Sequence, residues 1–266
     1  YTLKLVCYSL KHIMPKIAQK QIDKNKKEGE TPLEALEAFR AKHSPYKDLP
    51  ITYAGRLDPM AGGVLILLAG EEVKKKEEYL ALDKEYEFEV LFGVATDTYD
   101  ILGKVTNISH GVNMADIKIK SNLKYFTGKF VQKYPPYSSK TVKGKPMFEY
   151  SRNDIAVEAP ERIVHVKSLK LIKVRIIKSK KLLENIEKRI SKIKGDFRQK
   201  EILKIWRKKL SVQPSVLNIA SFKIKCGSGT YVRSIANSLG EKIGIPALAY
   251  SIKRTRVGKY KIKNKN

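Results

Sequence analysis

Cysteine is scarce in this chain. The 266 residues hold two, Cys7 and Cys226, which excludes a disulfide framework and any zinc site with paired-cysteine spacing. Histidine is nearly as rare: His12, His43, His110 and His165 are scattered, so no histidine-based metal centre is expected. No apolar run approaches the roughly 20 residues that span a bilayer, and no apolar signal core with a cleavage site opens the chain. Internal repeats and Pro- or Ser-rich linkers are missing too. Acidic residues are in short supply, 27 against 54 lysines and arginines, for a formal net charge of +27. That imbalance points to a polyanionic partner, nucleic acid or an anionic membrane surface. A solvated lysine-rich surface would give the same count. These absences read as a cytosolic protein with no membrane segment. The chain begins at Tyr1 rather than Met, which leaves room for sequence ahead of it.

What is present suits a globular protein. The hydrophobic fraction is 42%, and the length allows one large domain, or one domain with an appendage. The opening stretch through Asp23-Lys24-Asn25-Lys26 is basic and weakly periodic, and gives no assignment. Thr31-Pro32-Leu33-Glu34 is a helix start, with Thr31 as N-cap, Pro32 at the first helical position and Glu34 closing a capping box. Leu33, Leu36 and Phe39 then mark its apolar face. Val64 to Leu68 reads as a buried strand. Tyr86, Phe88, Val90 and Phe92 alternate with Glu87, Glu89 and Leu91, a half-buried strand ended by Gly93.

A second strand pair is expected at Val164–Ile177 and Ala220–Cys226. Between them lies a basic helical insertion, about 178–213. Leu183, Ile186, Ile190 and Ile193 share one helical face, Gly195 interrupts, and Ile202, Ile205, Trp206 and Leu210 suggest a second helix. Two readings stand side by side: a hairpin with its own small apolar seam, or a basic arm touching RNA backbone. Val232, Ile235, Ala236, Leu239 and Ile243 predict a last helix closed by Gly244, and Ile252 to Ile262 a closing strand. Hairpin-ordered strands with interspersed helices argue for an α+β fold.

Asp58 draws the chemistry. Taken alone, Asp58-Pro59 would simply cap the next segment. The surrounding words say more. Gly55-Arg56-Leu57-Asp58-Pro59-Met60-Ala61-Gly62-Gly63-Val64-Leu65 resembles the signature of bacterial tRNA pseudouridine synthases of the TruB type. Lys26-Lys27-Glu28-Gly29-Glu30-Thr31 is similar to that family's first motif, and Asp83-Lys84-Glu85-Tyr86 to its second. Gly93 with Thr96-Asp97-Thr98, Asp100 and Gly103 resembles the stretch that follows. Gln132 with Pro135 to Lys145 resembles another, and Gly229-Thr230-Tyr231-Val232-Arg233 through Lys259-Tyr260 the C-terminal element. The blocks run in family order from about residue 22 to 262.

The resemblance implies a role for each matching residue. Asp58 takes the place of the catalytic aspartate. Tyr86 takes that of a tyrosine stacked on the target base, a candidate base late in the reaction. Arg233 takes that of the arginine paired with the aspartate, and Tyr231 stands beside it. Ile252 replaces a leucine of the pocket wall. Three positions depart from the pattern. Tyr53 stands where a histidine near the flipped nucleotide is usual. Arg56 gives Gly-Arg-Leu-Asp, a form similar to ribosomal-RNA pseudouridine synthases. Lys27 replaces a proline.

The residues themselves are suited to such roles. Moving a uracil from N1 to C5 attachment gains and loses nothing, so no cofactor is expected. It needs a carboxylate near the sugar, a guanidinium to offset its burial and an aromatic face for an extruded base. Lys140, Lys143 and Lys145 suit phosphate contacts. Thr96-Asp97-Thr98 reads as a turn that orders the site.

The expectation is a single catalytic domain over 1–266 with the pseudouridine synthase fold: a bent, mostly antiparallel mixed sheet, flanking helices and a central cleft. No C-terminal PUA domain is expected, since the chain ends soon after Tyr260. The implied activity is isomerisation of uridine-55 in the TΨC arm of tRNA by a monomer, with no protein partner. The alternatives are the same chemistry on ribosomal RNA, and a non-catalytic tRNA-folding chaperone.

Overall fold

The apolar runs and alternating stretches are strands of one nine-stranded sheet. The computed structural model describes residues 21–109, 116–211 and 216–262. Cys7, His12, His110, residues 1–20 of the opening stretch and residues 212–213 of the insertion lie outside them. In chain order the strands are β1 (Gln21–Lys26), β2 (Ile51–Ala54), β3 (Ala61–Ala69), β4 (Lys84–Phe92), β5 (Val94–Thr96), β6 (Val105–Ile108), β7 (Gly128–Lys133), β8 (Thr141–Val142), β9 (Lys145–Pro146), β10 (Glu161–Lys178), β11 (Val216–Cys226), β12 (Ala247–Val257) and β13 (Tyr260–Lys261). The helices are α1 (Pro32–Arg40), α2 (Lys76–Ala81), α3 (Asp116–Asn122), α4 (Met147–Arg152), α5 (Ser179–Ile190), α6 (Gln199–Ser211) and α7 (Val232–Ile243).

The main sheet runs β1-β3-β12-β4-β11-β10-β7, with β2 beside β3 and β13 beside β12. Its pairings are antiparallel apart from β12 with β3, which run parallel through Ile252↔Ala61, Lys253↔Gly62 and Arg254↔Gly63. The expected α+β architecture with a mostly antiparallel mixed sheet is what the chain adopts. The closing strand differs in detail. It starts at Ala247 and turns back at Gly258 into β13, so the segment to Ile262 is a hairpin.

Alternation on β4 explains why both faces of the sheet are covered. Phe88, Val90 and Phe92 join the core under α7, with Phe88 stacked on Phe222 at 5.1 Å and Ile235, Ala236 and Leu239 packed in. Leu91 points the other way, into a second core with Ile219, Leu248 and Tyr250. The hairpin of α5 and α6 fills this second face. Its face is the predicted one, with Leu182 rather than Leu183 fully buried beside Ile186, Ile190, Ile202 and Trp206. Its apolar side therefore belongs to this second core of the sheet and is not a seam of its own. Each such side chain contributes about 1.5–3 kcal/mol, far above the roughly 0–1 kcal/mol of a surface ion pair.

Helix α1 carries the predicted capping box: the Glu34 N–H donates to Thr31 Oγ1, and the Thr31 N–H to Glu34 Oε2. Its buried face is Ala35, Leu36 and Phe39, whereas Leu33 is 57% exposed. The capping geometry turns position 33 away from the core and toward the cleft described below. Helix α7 closes as predicted, on Gly244 in the left-handed conformation.

Gly63 is required by the parallel β12–β3 crossing. Its φ is +108°, and a Cβ there would lie 2.1 Å from the Arg254 carbonyl oxygen. We expect Gly63→Ala to destabilise by roughly 3 kcal/mol or more, strain and overlap combined. Gly128 has φ +86°, and a methyl added there would meet nothing within 4 Å. It isolates the conformational part, and Gly128→Ala should cost about 1 kcal/mol. Denaturant unfolding of both variants measures the difference.

Candidate active site

The link between β2 and β3 carries Asp58. Gly55 takes φ +79°, and the Ala61 N–H donates to the Asp58 carbonyl at 3.0 Å, closing a tight turn into β3. No helix follows Pro59, so Asp58 is not a helix cap and its carboxylate is left for other work. Arg233, in the first turn of α7, meets it bidentately. Nε donates to Oδ2 at 2.8 Å and Nη2 to Oδ1 at 3.1 Å. The guanidinium also donates from Nη1 to the Thr98 carbonyl at 2.6 Å and from Nη2 to the Tyr137 carbonyl at 3.1 Å. Its side chain is 3% exposed, that of Asp58 33%. The arginine is thus the fixed partner, and the carboxylate faces open space.

Asp100 completes the charge cluster and was not singled out from sequence. Its Oδ2 lies 3.7 Å from Arg233 Nε, and its Oδ1 accepts from Thr98 Oγ1 at 2.8 Å and the Leu102 N–H at 2.9 Å. Burial raises the Asp100 pKa, against the pull of Arg233, and Asp58 adds to the rise. For Arg233 burial works against the cation. The Asp58 and Asp100 carboxylates outweigh it and hold the pKa above the ordinary guanidinium value.

Two cavities share Asp58 and Arg233. The larger, about 550 Å³, is walled by Tyr86, Tyr134, Tyr231, Ile252, Lys84, Lys140 and Arg254. The smaller, about 370 Å³, has Leu33, Tyr53, Tyr137, Phe148, Phe197 and Arg198 around it. Arg56 borders both and donates to Ser139 Oγ. The structure therefore brings together Asp58, Tyr86, Arg233, Tyr231, Ile252, Arg56 and Lys140. It places Tyr53 on the other side of Asp58. Lys143 and Lys145 stand exposed on the β8–β9 hairpin. Burial pushes the Tyr231 phenol up to about 12, with Asp58 adding to it, and raises Tyr86 likewise. Both rings stay neutral at physiological pH. Gln132 fixes Tyr231 by accepting its N–H at 2.8 Å and donating to its carbonyl at 3.1 Å.

Two buried cations hold the Asp58 turn from behind. Arg254, 2% exposed, donates from Nε to the Val64 carbonyl at 2.7 Å and from Nη2 to the Gly55 carbonyl at 2.8 Å. Lys26, 1% exposed, donates to the carbonyls of Lys27, Pro59 and Ala61 at 2.9, 3.4 and 2.6 Å. Their sequence signal was faint, since each is one of several basic residues in its matched block. Burial lowers the Lys26 pKa from 10.5 to about 8. Between those values the unfolded chain holds a proton that the native protein has released, so this group adds stability as pH rises. We expect the stability of the parent protein relative to Lys26→Met to grow from pH 8 to pH 10.5, by an amount on the order of 3 kcal/mol. Paired denaturant titrations at the two ends read it. A gap that shrinks refutes the assignment.

Among the described residues no group of three or more His, Cys, Asp and Glu side chains could hold a metal ion. No helix there is long and apolar enough to cross a membrane.

Comparison with known proteins gives the family. The model of the TruB family pseudouridylate synthase (N terminal domain) matches residues 44–197. The chain belongs to the TruB family. Its relatives include the tRNA pseudouridine synthase B of Protochlamydia amoebophila (strain UWE25), 31% identical over 241 residues, 90% of this chain and 74% of the relative. The protein of that name from Lactobacillus johnsonii is 34% identical over 206 residues, 77% of this chain and 58% of the relative. The one from Lactobacillus delbrueckii subsp. bulgaricus is 30% identical over 219 residues, and the match spans 62% of its length. This TruB-family chain thus matches about three fifths of the length of some relatives. Among solved structures, a Cbf5-Nop10-Gar1 complex aligns with TM-score 0.57 at 17% identity, covering 93% of this chain and 51% of that one. An H/ACA RNP bound to a substrate RNA containing 2'-deoxyuridine aligns with TM-score 0.54 at 16% identity, covering 96% and 51%. These likenesses establish the pseudouridine synthase fold.

Proposed function

We propose that the protein isomerises uridine to pseudouridine in tRNA, at uridine-55 of the TΨC arm, acting in the cytoplasm as a monomer. The bidentate Asp58–Arg233 pair at the edge of an aromatic-walled cavity carries this reading. A carboxylate offers about four lone-pair sites. Arg233 takes two, which leaves the rest directed at whatever fills the cavity. Its 550 Å³ lies within the range of small-molecule sites and suits one extruded nucleotide. Tyr86 and Tyr231 offer aromatic faces, worth roughly 1–3 kcal/mol for a stacked base, and Ile252 closes the apolar side. Asp58 acts on the sugar or at C1′, the N1–C1′ bond breaks, the retained uracil rotates and bonds to C1′ through C5, and C5 then loses its proton while N1 gains one. Lys140, Lys143 and Lys145 supply phosphate contacts. The names of the relatives support tRNA as the substrate.

The test is site-resolved mapping of pseudouridine after incubating the protein with unmodified tRNA transcript and no added cofactor. Product at position 55 alone supports the proposal. Product only in ribosomal RNA moves the assignment to a sister specificity. Tight tRNA binding with no product in either RNA supports the chaperone reading.

A further inference from the structure

We propose that the hairpin of α5 and α6 is a brace that positions the Asp58–Arg233 pair. The proposal rests on the catalytic reading above for what that pair does. Across residues 179–211 the chain has twelve lysines and arginines against four acids, a composition that suggests an RNA-binding arm. Two of its arginines, Arg189 and Arg198, are instead neutralised by protein carboxylates, and each carboxylate is linked to the pair through neighbouring backbone.

The first route passes through Glu28. Arg189 Nε donates to both Glu28 carboxylate oxygens at 3.1 Å, and Nη2 donates to Oε2 at 2.7 Å. Lys192 adds a contact at 3.4 Å. The next residue, Gly29, donates its N–H to the Pro59 carbonyl at 2.9 Å, and Pro59 follows Asp58. Gly29 has φ +95°, and a Cβ there would lie 2.6 Å from Lys192 Cβ. The hairpin and this loop are therefore packed without spare room.

The second route passes through Asp97. Arg198 Nη1 donates to Asp97 Oδ2 at 2.8 Å, while Asp97 Oδ1 accepts the Lys104 N–H at 2.8 Å. The following residue, Thr98, supplies a carbonyl that holds Arg233. The Arg198 guanidinium also lies 4.4 Å from the centre of the Tyr137 ring, and Tyr137 supplies the other backbone carbonyl that holds Arg233. Arg198 thus touches Tyr137, one of the two residues whose carbonyls aim the guanidinium, and Asp97, which precedes the other, Thr98. It does so from a left-handed backbone, φ +63°, fixed by its N–H donating to Asp196 Oδ1 at 3.0 Å. Trp206, fully buried, ties α6 to the same loop by donating to the Gly103 carbonyl at 3.2 Å. The ion pairs are mostly sheltered: Arg189 and Arg198 side chains are 13% and 19% exposed.

A brace acts on the chemical step, whereas an RNA arm acts on binding. The experiment compares the full chain with Arg189→Met and Arg198→Met. It measures the single-turnover rate at saturating enzyme on unmodified tRNA transcript and, separately, the tRNA Kd. A misplacement of about 1 Å at reacting groups can cost a hundredfold in rate. Each variant is expected to lose about tenfold to a hundredfold in saturated rate, with Kd nearly unchanged. Arg207→Met serves as the control for general loosening. It breaks an exposed ion pair with Glu187 inside the hairpin and should keep the parent rate. A loss confined to Kd would make the hairpin an RNA arm and overturn the proposal. Equal rate loss in the Arg207 variant, or full rates in both others, would also overturn it. If the parent protein makes no pseudouridine in tRNA or ribosomal RNA, the reading of the site fails and the brace with it. Active parent protein with full-rate variants removes the brace alone.

Discussion

Asp58→Asn protein is expected to bind unmodified tRNA as the parent does and to make no detectable pseudouridine. The substitution keeps the shape of the side chain and removes its charge. One amide oxygen can still accept from Arg233, and Asp100 at 3.7 Å remains to balance the guanidinium. The fold should therefore survive with less than the roughly 3–5 kcal/mol loss that follows from stranding a buried charge. The chemistry should not survive. Loss of general acid–base help alone costs about 10²–10⁴-fold, and an aspartate that also bonds to the sugar would take the whole pathway with it. A turnover drop beyond about 10⁴-fold with unchanged Kd is the expected pair of readings. Residual turnover within tenfold of the parent would remove Asp58 from its proposed role. Unchanged binding in both proteins, with no product from either, would leave a folding chaperone.

The parts of the molecule that the sequence made legible are those written in local patterns. The Thr31–Glu34 capping box, the β4 alternation and the α7 periodicity closed by Gly244 each depend on residues a few positions apart. Asp58 and Arg233 lie 175 residues apart, and only the ordered family blocks suggested that they meet. The residues that were missed interact mainly with backbone. Arg254 reaches the Gly55 carbonyl across 199 positions, and Lys26 reaches Pro59 across 33. A carbonyl acceptor is present at every residue, so such a contact leaves no mark on the composition of its partner. Asp100 was visible as part of a motif, but its closeness to Arg233 is set by the turn from Thr96 to Leu102. The hairpin was legible as two amphipathic helices. Its docking was not, because periodicity shows that a face is apolar without saying what covers it.

The same charge cluster gives the largest expected loss of stability. In Arg233→Met the cation goes and the Asp58 and Asp100 carboxylates stay, one of them 9% exposed. The Thr98 and Tyr137 carbonyls lose their donor as well. Removing one member of a buried pair typically costs about 3–5 kcal/mol, so the variant should be severely destabilised and inactive. Acid should relieve part of this. The native Asp100 pKa already lies above 3.8, chiefly through burial, with Arg233 pulling it back. Without the guanidinium it rises further. A carboxyl whose native pKa is raised binds its proton more tightly when folded, so its contribution is full below 3.8 and is lost as pH climbs through the native value. The stability gap between the parent and Arg233→Met should therefore be widest at neutral pH and narrow on acidification. Arg233→Lys keeps a charge but not the two-pronged geometry. It should recover stability more fully than turnover. Denaturant unfolding of the three proteins across the acid range decides the matter, and a gap that widens toward low pH would show that the two carboxylates do not depend on Arg233 as the geometry requires.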